Sequence, residues 1–263
     1  MKQRIITAIV AGAIFLPIAI YGGLPFVILV YLMATVGLFE AFRMKKIGLT
    51  SVPGIISLLL LWFLLIPSSF QLHEYIKLSK LELVLIAVLL FLTYTVITKN
   101  KFSFDDVGFS LLSIIYVGLG FYYLIETREL GIIYLIFALF VIWTTDSGAY
   151  FIGRSIGKNK LWPEISPNKT IEGSLGGIFC AVIVATGFYF LVNFDEPLVV
   201  IIILAILLSI FGQIGDLVES GLKRHYDVKD SGSLLPGHGG ILDRFDSLLF
   251  ILPILHFLHR FLA

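Results

Sequence analysis

The run Ile5–Phe39, IITAIVAGAIFLPIAIYGGLPFVILVYLMATVGLF, holds 35 residues without a charge. A bilayer core about 30 Å thick is crossed by about 20 apolar residues rising 1.5 Å each, so this run is too long for one span and long enough for two. Gly22, Gly23 and Pro25 stand at its middle and supply a turn. The stretch predicts a helical hairpin through a membrane. Met1-Lys2-Gln3-Arg4 ahead of an apolar run also resembles a secretory signal, but the apolar sequence continues far past a signal's core and enters a second span.

The same length rule, applied to the rest of the chain, predicts nine spans at roughly 5–22, 24–42, 52–70, 81–98, 107–125, 131–152, 172–194, 197–215 and 247–262. The composition agrees with this reading. Hydrophobic residues make up 58% of the 263 and charged residues 14%, against about 25% charged in a soluble domain. Mean hydropathy is +0.99. The 19 Lys and Arg against 18 Asp and Glu leave a net charge of +1, so neither a nucleic-acid surface nor an acidic disordered chain is indicated. Cys180 is the one cysteine, which excludes a disulfide framework and a cysteine zinc cluster. No fixed-period repeat and no long linker interrupts the spans. The fold expected is an all-α polytopic membrane protein of about nine helices. It divides into residues 1–130, holding spans one to five, and residues 131–263, holding the chemistry.

Cytoplasmic loops carry an excess of Lys and Arg. With an odd number of spans and a cytoplasmic N-terminus, the inner set comprises Lys2, Arg4, Arg43, Lys45, Lys46, Lys99, Lys101, Arg154, Lys158, Lys160, Lys169, Lys223, Arg224, Lys229 and Arg244. The outer set is Lys77, Lys80, Arg128 and Arg260. Fifteen against four predicts the N-terminus inside and the C-terminus outside. It also places the two longest polar loops, 153–171 and 216–246, on the cytoplasmic face.

Asp146 lies in the apolar stretch Phe140-Val-Ile-Trp-Thr-Thr-Asp-Ser-Gly-Ala-Tyr150. A charge at membrane depth costs at least about 2.5–3.5 kcal/mol unless something pairs with it. An Asp solvated at the helix end is the plainer reading, but a helix C-terminus disfavours an anion. Asp216, in Gly212-Gln-Ile-Gly-Asp, poses the same problem. A cation near both would resolve it.

Gly153-Arg-Ser-Ile-Gly157-Lys158-Asn159-Lys160 is not a P-loop: three residues rather than four separate its glycines, Asn follows the Lys, and a membrane helix precedes it. Further on, Ser166-Pro167-Asn168-Lys169-Thr170-Ile171-Glu172-Gly173 leads into span seven. Pro167 and Thr170 suit a helix start, and a helix N-terminus beside Lys169 suits an anion. Basic residues touching lipid headgroups would explain this loop equally well. In the next loop, Asp243 and Asp246 are three residues apart and share a face if a helix begins there. With Asp216 they form a hard-oxygen cluster suited to Mg²⁺. Capping of the last helix is the structural alternative for either Asp. Capping does not account for Gly237-His238-Gly239-Gly240, whose glycines let backbone N–H groups approach an anion.

The stretch from Ser220 through Lys223-Arg224, Lys229-Asp230, Gly232, Leu235-Pro236 and His238-Gly239-Gly240 to Asp243-Arg244 and Asp246 closely resembles the signature of the phosphatidate cytidylyltransferases, or CDP-diacylglycerol synthases. Ser166–Gly173 is similar to a segment that family shares with CTP-using polyprenol and phytol kinases. The resemblance covers the C-terminal half, and spans one to five agree in hydrophobicity and length alone. It implies the reaction of CTP with phosphatidate to give CDP-diacylglycerol and pyrophosphate, dependent on Mg²⁺. On that basis Asp216, Asp243 and Asp246 would hold Mg²⁺, with room for a second cation, and Lys169, Lys223, Arg224 and Arg244 would hold phosphates. His238 would orient a phosphate or donate a hydrogen bond. Asp146, Ser166, Thr170, Glu172, Gly239 and Gly240 would line the nucleotide's site.

The partners implied are CTP, phosphatidate entering from the inner leaflet, membrane lipid and, in a homodimer, a second copy of the chain; the location implied is a plasma (inner) membrane. A CTP-dependent lipid kinase would fit Ser166–Gly173 alone, not the full signature. A secondary transporter would use Asp146 and Asp216 as ion carriers, but would place its acids near the midplane rather than at span ends. Single cysteines at Lys160 and Ser231, in a Cys180→Ser background, should react with an impermeant thiol reagent only from the cytoplasmic side, and one at Asp195 only from the other. Labelling of all three from one face would overturn the nine-span arrangement.

Overall fold

The computed structural model describes residues 2–70, 77–192, 194 and 196–262, with side chains left aside at Lys2, Arg4, Ile5 and Leu262; Asp195, expected in an outer loop, lies outside the described residues. Nine α-helices occur among the described residues: α1 (Lys2–Tyr21), α2 (Gly23–Met44), α3 (Val52–Leu64), α4 (Lys80–Ile97), α5 (Phe104–Leu130), α6 (Ile132–Ile156), α7 (Ile171–Leu191), α8 (Leu198–His225) and α9 (Leu242–Leu262). Six of them, α2 and α4 to α8, are long and apolar enough to cross a membrane. The chain is a multi-pass membrane protein. α3 has only 13 residues, and α9 becomes apolar only after Asp243, Arg244 and Asp246.

Packing divides the chain into two compact units, Met1–Glu126 with Asp230–Asp243, and Thr127–Lys229 with Arg244–Ala263. In the first unit the expected turn sits at Gly22 and Gly23, whose φ of 72° and 58° are left-handed angles that glycine adopts without strain. α3 stops at Leu64, six residues before the expected end of span three, and a single 3₁₀ turn, Ser68–Phe70, follows. Pro67 explains this, since it lacks an N–H and disfavours helix in the residue before it. Lys80 donates to the carbonyls of Leu64 and Ile66 at 2.8 Å each, satisfying the helix end that results. Ser79 with Glu82, and Ser103 with Asp106, are reciprocal caps that start α4 and α5.

The described fold is all-α as expected, with one short antiparallel hairpin in the second unit: β1 (Lys160–Trp162) pairs with β2 (Ser166–Thr170), Lys160 opposite Thr170 and Trp162 opposite Ser166. Pro167, expected in the first helical turn, lies in β2, where a two-stranded ribbon has an open edge that needs no N–H. α7 starts at Ile171, and Thr170 caps it by accepting from the Gly173 N–H at 3.1 Å. α8 runs ten residues beyond the expected end of its span, so the connection to α9 begins near Tyr226 rather than at Asp216. The Glu219–Lys223 ion pair supports this extension at i, i+4 spacing. Asp227, with φ of 53°, follows its end.

α6 and α7 approach closely through glycine. A Cβ at Gly177 would stand 2.7 Å from the Thr145 carbonyl oxygen, one at Gly173 2.7 Å from that of Ala149, and one at Gly176 2.6 Å from Ile152. On α6, a Cβ at Gly148 would meet Cys180 at 2.9 Å. Small residues let two membrane helices bring their backbones together, and the contact is made of dispersion rather than hydrophobic exclusion. Gly177→Ala should therefore destabilise by about 1–3 kcal/mol through overpacking. Gly187→Ala, which meets nothing within 4 Å, should not. Detergent melting of the two variants measures the difference.

Candidate active site

The helix period explains why α6 and α8 each present a polar stripe. Asp146, Tyr150 and Arg154 recur every four residues on α6, and Gln213, Asp216, Ser220 and Lys223 recur every three or four on α8. Between these helices, the start of α7 and the hairpin lies a cavity of about 540 Å³, wholly within the second unit. Its charged lining is Asp146 and Asp216 against Arg154, Lys160 and Lys169, with the amides of Asn168 and Gln213 beside them. Three bases against two acids make the pocket attractive to an anion. Thr170, Gly173 and Ser174 bring the N-terminus of α7 to the same cavity, and its unsatisfied N–H groups and positive dipole end add to that field.

The shortest interaction in the cavity joins Lys169 Nζ to Asp216 Oδ2 at 2.5 Å, with both side chains about a quarter to a third exposed. The Ser220 hydroxyl donates to Asp216 Oδ1 at 3.3 Å. Asp146 senses the charges of Asp216, Lys169 and Arg244, and Asp246 senses those of Asp216, Lys223 and Asp146. Three carboxylates from α6, α8 and α9 thus share one electrostatic neighbourhood with Lys169, Lys223 and Arg244. Asp146 and Asp216 lie ten and nine residues before the ends of α6 and α8, not at helix termini as the sequence suggested, and Lys169 is the cation that meets Asp216 there. Arg224 is used differently, its Nε donating to the Ile165 carbonyl at 3.5 Å at the foot of the hairpin.

Some candidates of the second unit do not line this cavity. Glu172 accepts from the Lys158 and Asn159 backbone N–H groups and from Asn159 Nδ2, at 2.7–3.2 Å, and so holds the turn after α6. Ser166 begins β2 and does not line the cavity. Asp243, His238, Gly239 and Gly240 belong to the first unit. There Asp243 Oδ2 accepts from the Ser231 N–H at 2.8 Å, the Ser231 hydroxyl at 2.9 Å and the Gly240 N–H at 2.8 Å. The His238 N–H donates to the Leu235 carbonyl at 2.8 Å, and Gly239 has φ of 86°. Conversely, Tyr150, Arg154, Lys160, Asn168 and Gln213 line the cavity although sequence reasoning did not single them out for chemistry. The four-residue interval from Asp146 was the available signal for Tyr150 and Arg154.

Among the described residues, no three His, Cys, Asp or Glu side chains are drawn close enough together to enclose a metal ion as they stand. The Lys169 ammonium occupies the cationic position against Asp216. The acids of this neighbourhood supply only hard oxygen donors, which suits Mg²⁺ and not a thiolate- or imidazole-seeking metal.

A family model described as the Cytidylyltransferase family matches residues 2–262 of the chain. A phosphatidate cytidylyltransferase of Bacillus subtilis (strain 168) is 58% identical over 261 residues, covering 98% of this chain and 97% of that protein. Proteins of the same name from Staphylococcus haemolyticus (strain JCSC1435) and Staphylococcus aureus (strain COL) are 50% and 47% identical over 258 residues, each alignment covering 98% of both chains. With the match running nearly end to end, including the cavity and the Ser220–Asp246 stretch, the chain belongs to the cytidylyltransferase family.

Proposed function

We propose that the chain transfers a cytidylyl group from CTP to phosphatidate, giving CDP-diacylglycerol and pyrophosphate for phospholipid synthesis. The observation that carries this reading is the cavity in which Lys169 and Asp216 are paired among converging acids and bases, in a chain whose full-length relatives bear that activity in their names. The reaction joins two polyanions. A phosphate oxygen of phosphatidate attacks the α-phosphorus of CTP, the α–β anhydride bond breaks, and its electron pair leaves on pyrophosphate. Such transfers ask the protein for positioning and positive charge rather than covalent participation.

The side chains can meet both demands. Arg154, Lys160 and Lys169 line the cavity as phosphate holders, with the N-terminus of α7 behind them. Asn168 and Gln213 offer amide groups with both donors and an acceptor, as a cytosine edge requires. Lys223 and Arg244 stand near Asp246 and Asp146 and complete the positive surround. A triphosphate competes with Asp216 for the Lys169 ammonium, which leaves Asp216 able to take another cation. Asp216 and Asp246, with Asp146 close by, are the residues proposed to hold Mg²⁺. When bound there it supplies charge neutralisation for the transferring and leaving phosphate oxygens.

The excess of basic residues in alternate loops supports nine crossings, a cytoplasmic N-terminus, an outer C-terminus and a cavity open to the cytoplasmic side of a plasma membrane. In that orientation CTP arrives from the cytoplasm, and phosphatidate reaches the cavity from the inner leaflet with its acyl chains among the helices.

Purified protein in detergent, given CTP, phosphatidate and Mg²⁺, should release pyrophosphate and form a CDP-lipid, and EDTA should stop it. CDP as the product, with a phosphorylated lipid alcohol, would instead establish a kinase. Asp216→Asn and Asp246→Asn should each insert normally and lose about a hundredfold or more in turnover, with a raised Mg²⁺ requirement in the remainder. Near-normal turnover in either variant removes that residue from the site. Asp243→Asn keeps an oxygen to accept from Ser231 and Gly240, so it should melt as the parent does, whereas Asp243→Ala should melt lower. Loss of turnover in Asp243→Asn at an unchanged melting temperature would give its charge a part in the reaction.

A further inference from the structure

Glu40 is an acid on α2, in the first unit, and only 2% of its surface is exposed. Its carboxylate accepts three hydrogen bonds from residues about two hundred positions away. The Ile241 N–H donates to Oε1 at 2.9 Å, the Leu242 N–H to Oε2 at 2.9 Å, and the Ser231 hydroxyl to Oε2 at 3.1 Å. Ile241 and Leu242 are the residues at which α9 starts, where helix N–H groups have no carbonyl of their own. Gly240 and Ile241 offer no capping side chain, so the cap is delivered by another helix. Two glycines make room for it. A Cβ at Gly232 would run into the Glu40 carboxylate, and so would one at Gly240.

We infer that Glu40 is a positioning residue for the transfer reaction: by capping α9 from α2 and drawing the Ser231–Leu242 backbone around its carboxylate, it sets where α9 begins and hence how Arg244 and Asp246, two and four residues further along that helix, are presented. Glu40 touches no substrate. Its effect is relayed along one continuous helix, which carries Asp243 in its first turn, Arg244 next and Asp246 after them. Asp243 secures the same loop from the other side through the Ser231 and Gly240 N–H groups, and the single Ser231 hydroxyl proton is shared between the two acids. This account gives Gly232 and Gly240 a role besides phosphate contact: they let the Glu40 carboxylate approach the backbone. It rests on the cytidylyltransferase reading for its kinetic consequence, though not for its structural one.

Glu40→Gln keeps the size of the side chain but sets an NH₂ against a backbone N–H. Two measurements on the purified full chain test the proposal: steady-state kinetics at varied CTP and Mg²⁺, and hydrogen exchange of the segment spanning Ile241–Asp246. Glu40→Gln should lower kcat about 10- to 100-fold and raise the Mg²⁺ concentration for half-maximal rate, as loss of a partner that orients a metal-site residue typically does. KM for CTP should stay within about twofold, since Arg154, Lys160 and Lys169, the bases that line the cavity, are not on α9. Exchange at Ile241 and Leu242 should accelerate. Ser57→Ala, which removes a buried hydroxyl from α3, should lower stability without these changes.

If Glu40→Gln does not insert, Gly240→Ala, which crowds the same carboxylate, should give the same kinetic signature. Parental kcat and Mg²⁺ dependence in the variant that inserts, or changes equalled by Ser57→Ala, would overturn the proposal. Absence of CTP turnover in the parent protein would overturn the cytidylyltransferase reading instead, while faster exchange at Ile241 and Leu242 would still establish the cap.

Discussion

A charge placed among apolar helices costs about 2.5–3.5 kcal/mol or more unless a partner meets it, and this molecule places its acids accordingly. Asp216 is met by the Lys169 ammonium, Asp106 by Lys45 at 3.0 Å, and Glu126 by the backbone N–H and hydroxyl of Ser68. Glu196 accepts from the Tyr134 hydroxyl at 3.0 Å and lies as close to His259 Nδ1. Glu40 takes backbone and hydroxyl donors. In most of these cases the bond closes a helix end or a turn. Asp216 differs in that its lysine partner lines an open cavity.

Close packing makes the cavity possible. With glycine at 173, 176 and 177, α7 lies against α6 near enough that a methyl group would strike a carbonyl or an isoleucine. That contact fixes the start of α7, and with it Thr170 and Lys169, beside Asp146 and Arg154 of α6. The hairpin between them is short, and Glu172 ties its first turn through Lys158 and Asn159. α8 then contributes a second polar stripe that continues unbroken past the apolar part of the helix. Its Ser209 hydroxyl is met by Thr145 of α6 at 2.8 Å, and its Gly212 carbonyl by Ser247 of α9 at 3.0 Å. These bonds keep the stripes of α6, α8 and α9 in register.

Where sequence reasoning missed an element, the reason is physical. A charge-counting rule ends α8 at Asp216, but helices end on backbone geometry and not on charge, and this one continues to His225. The hairpin at 160–170 holds only eight strand residues and a proline, too little pattern to register as strand. Asp243 and Asp246 do share a helix, as their spacing implied. Spacing along one helix cannot reveal that Ser231 and Gly240 close on Asp243 while Asp246 falls in the electrostatic neighbourhood of Asp146 and Asp216. Glu40 carried a readable signal, an acid ending a 35-residue charge-free run. Nothing in its neighbours named its partners.

The sequence by itself determined the membrane class, the approximate place of the described helices, the skew of basic residues and the family resemblance of the signature, because each is a property of runs and spacings along one chain. Hydrophobic length is additive, and a motif is local. Tertiary structure alone decided that Asp246 senses the charges of Asp146 and Asp216 while Asp243 holds the Ser231 and Gly240 backbone. It also decided that Arg154 and Lys160 join Lys169 there, and that an acid of the second helix caps the last. Those outcomes depend on distances between segments far apart in sequence, set by how near glycine lets two helices come and by which donors each buried acid meets.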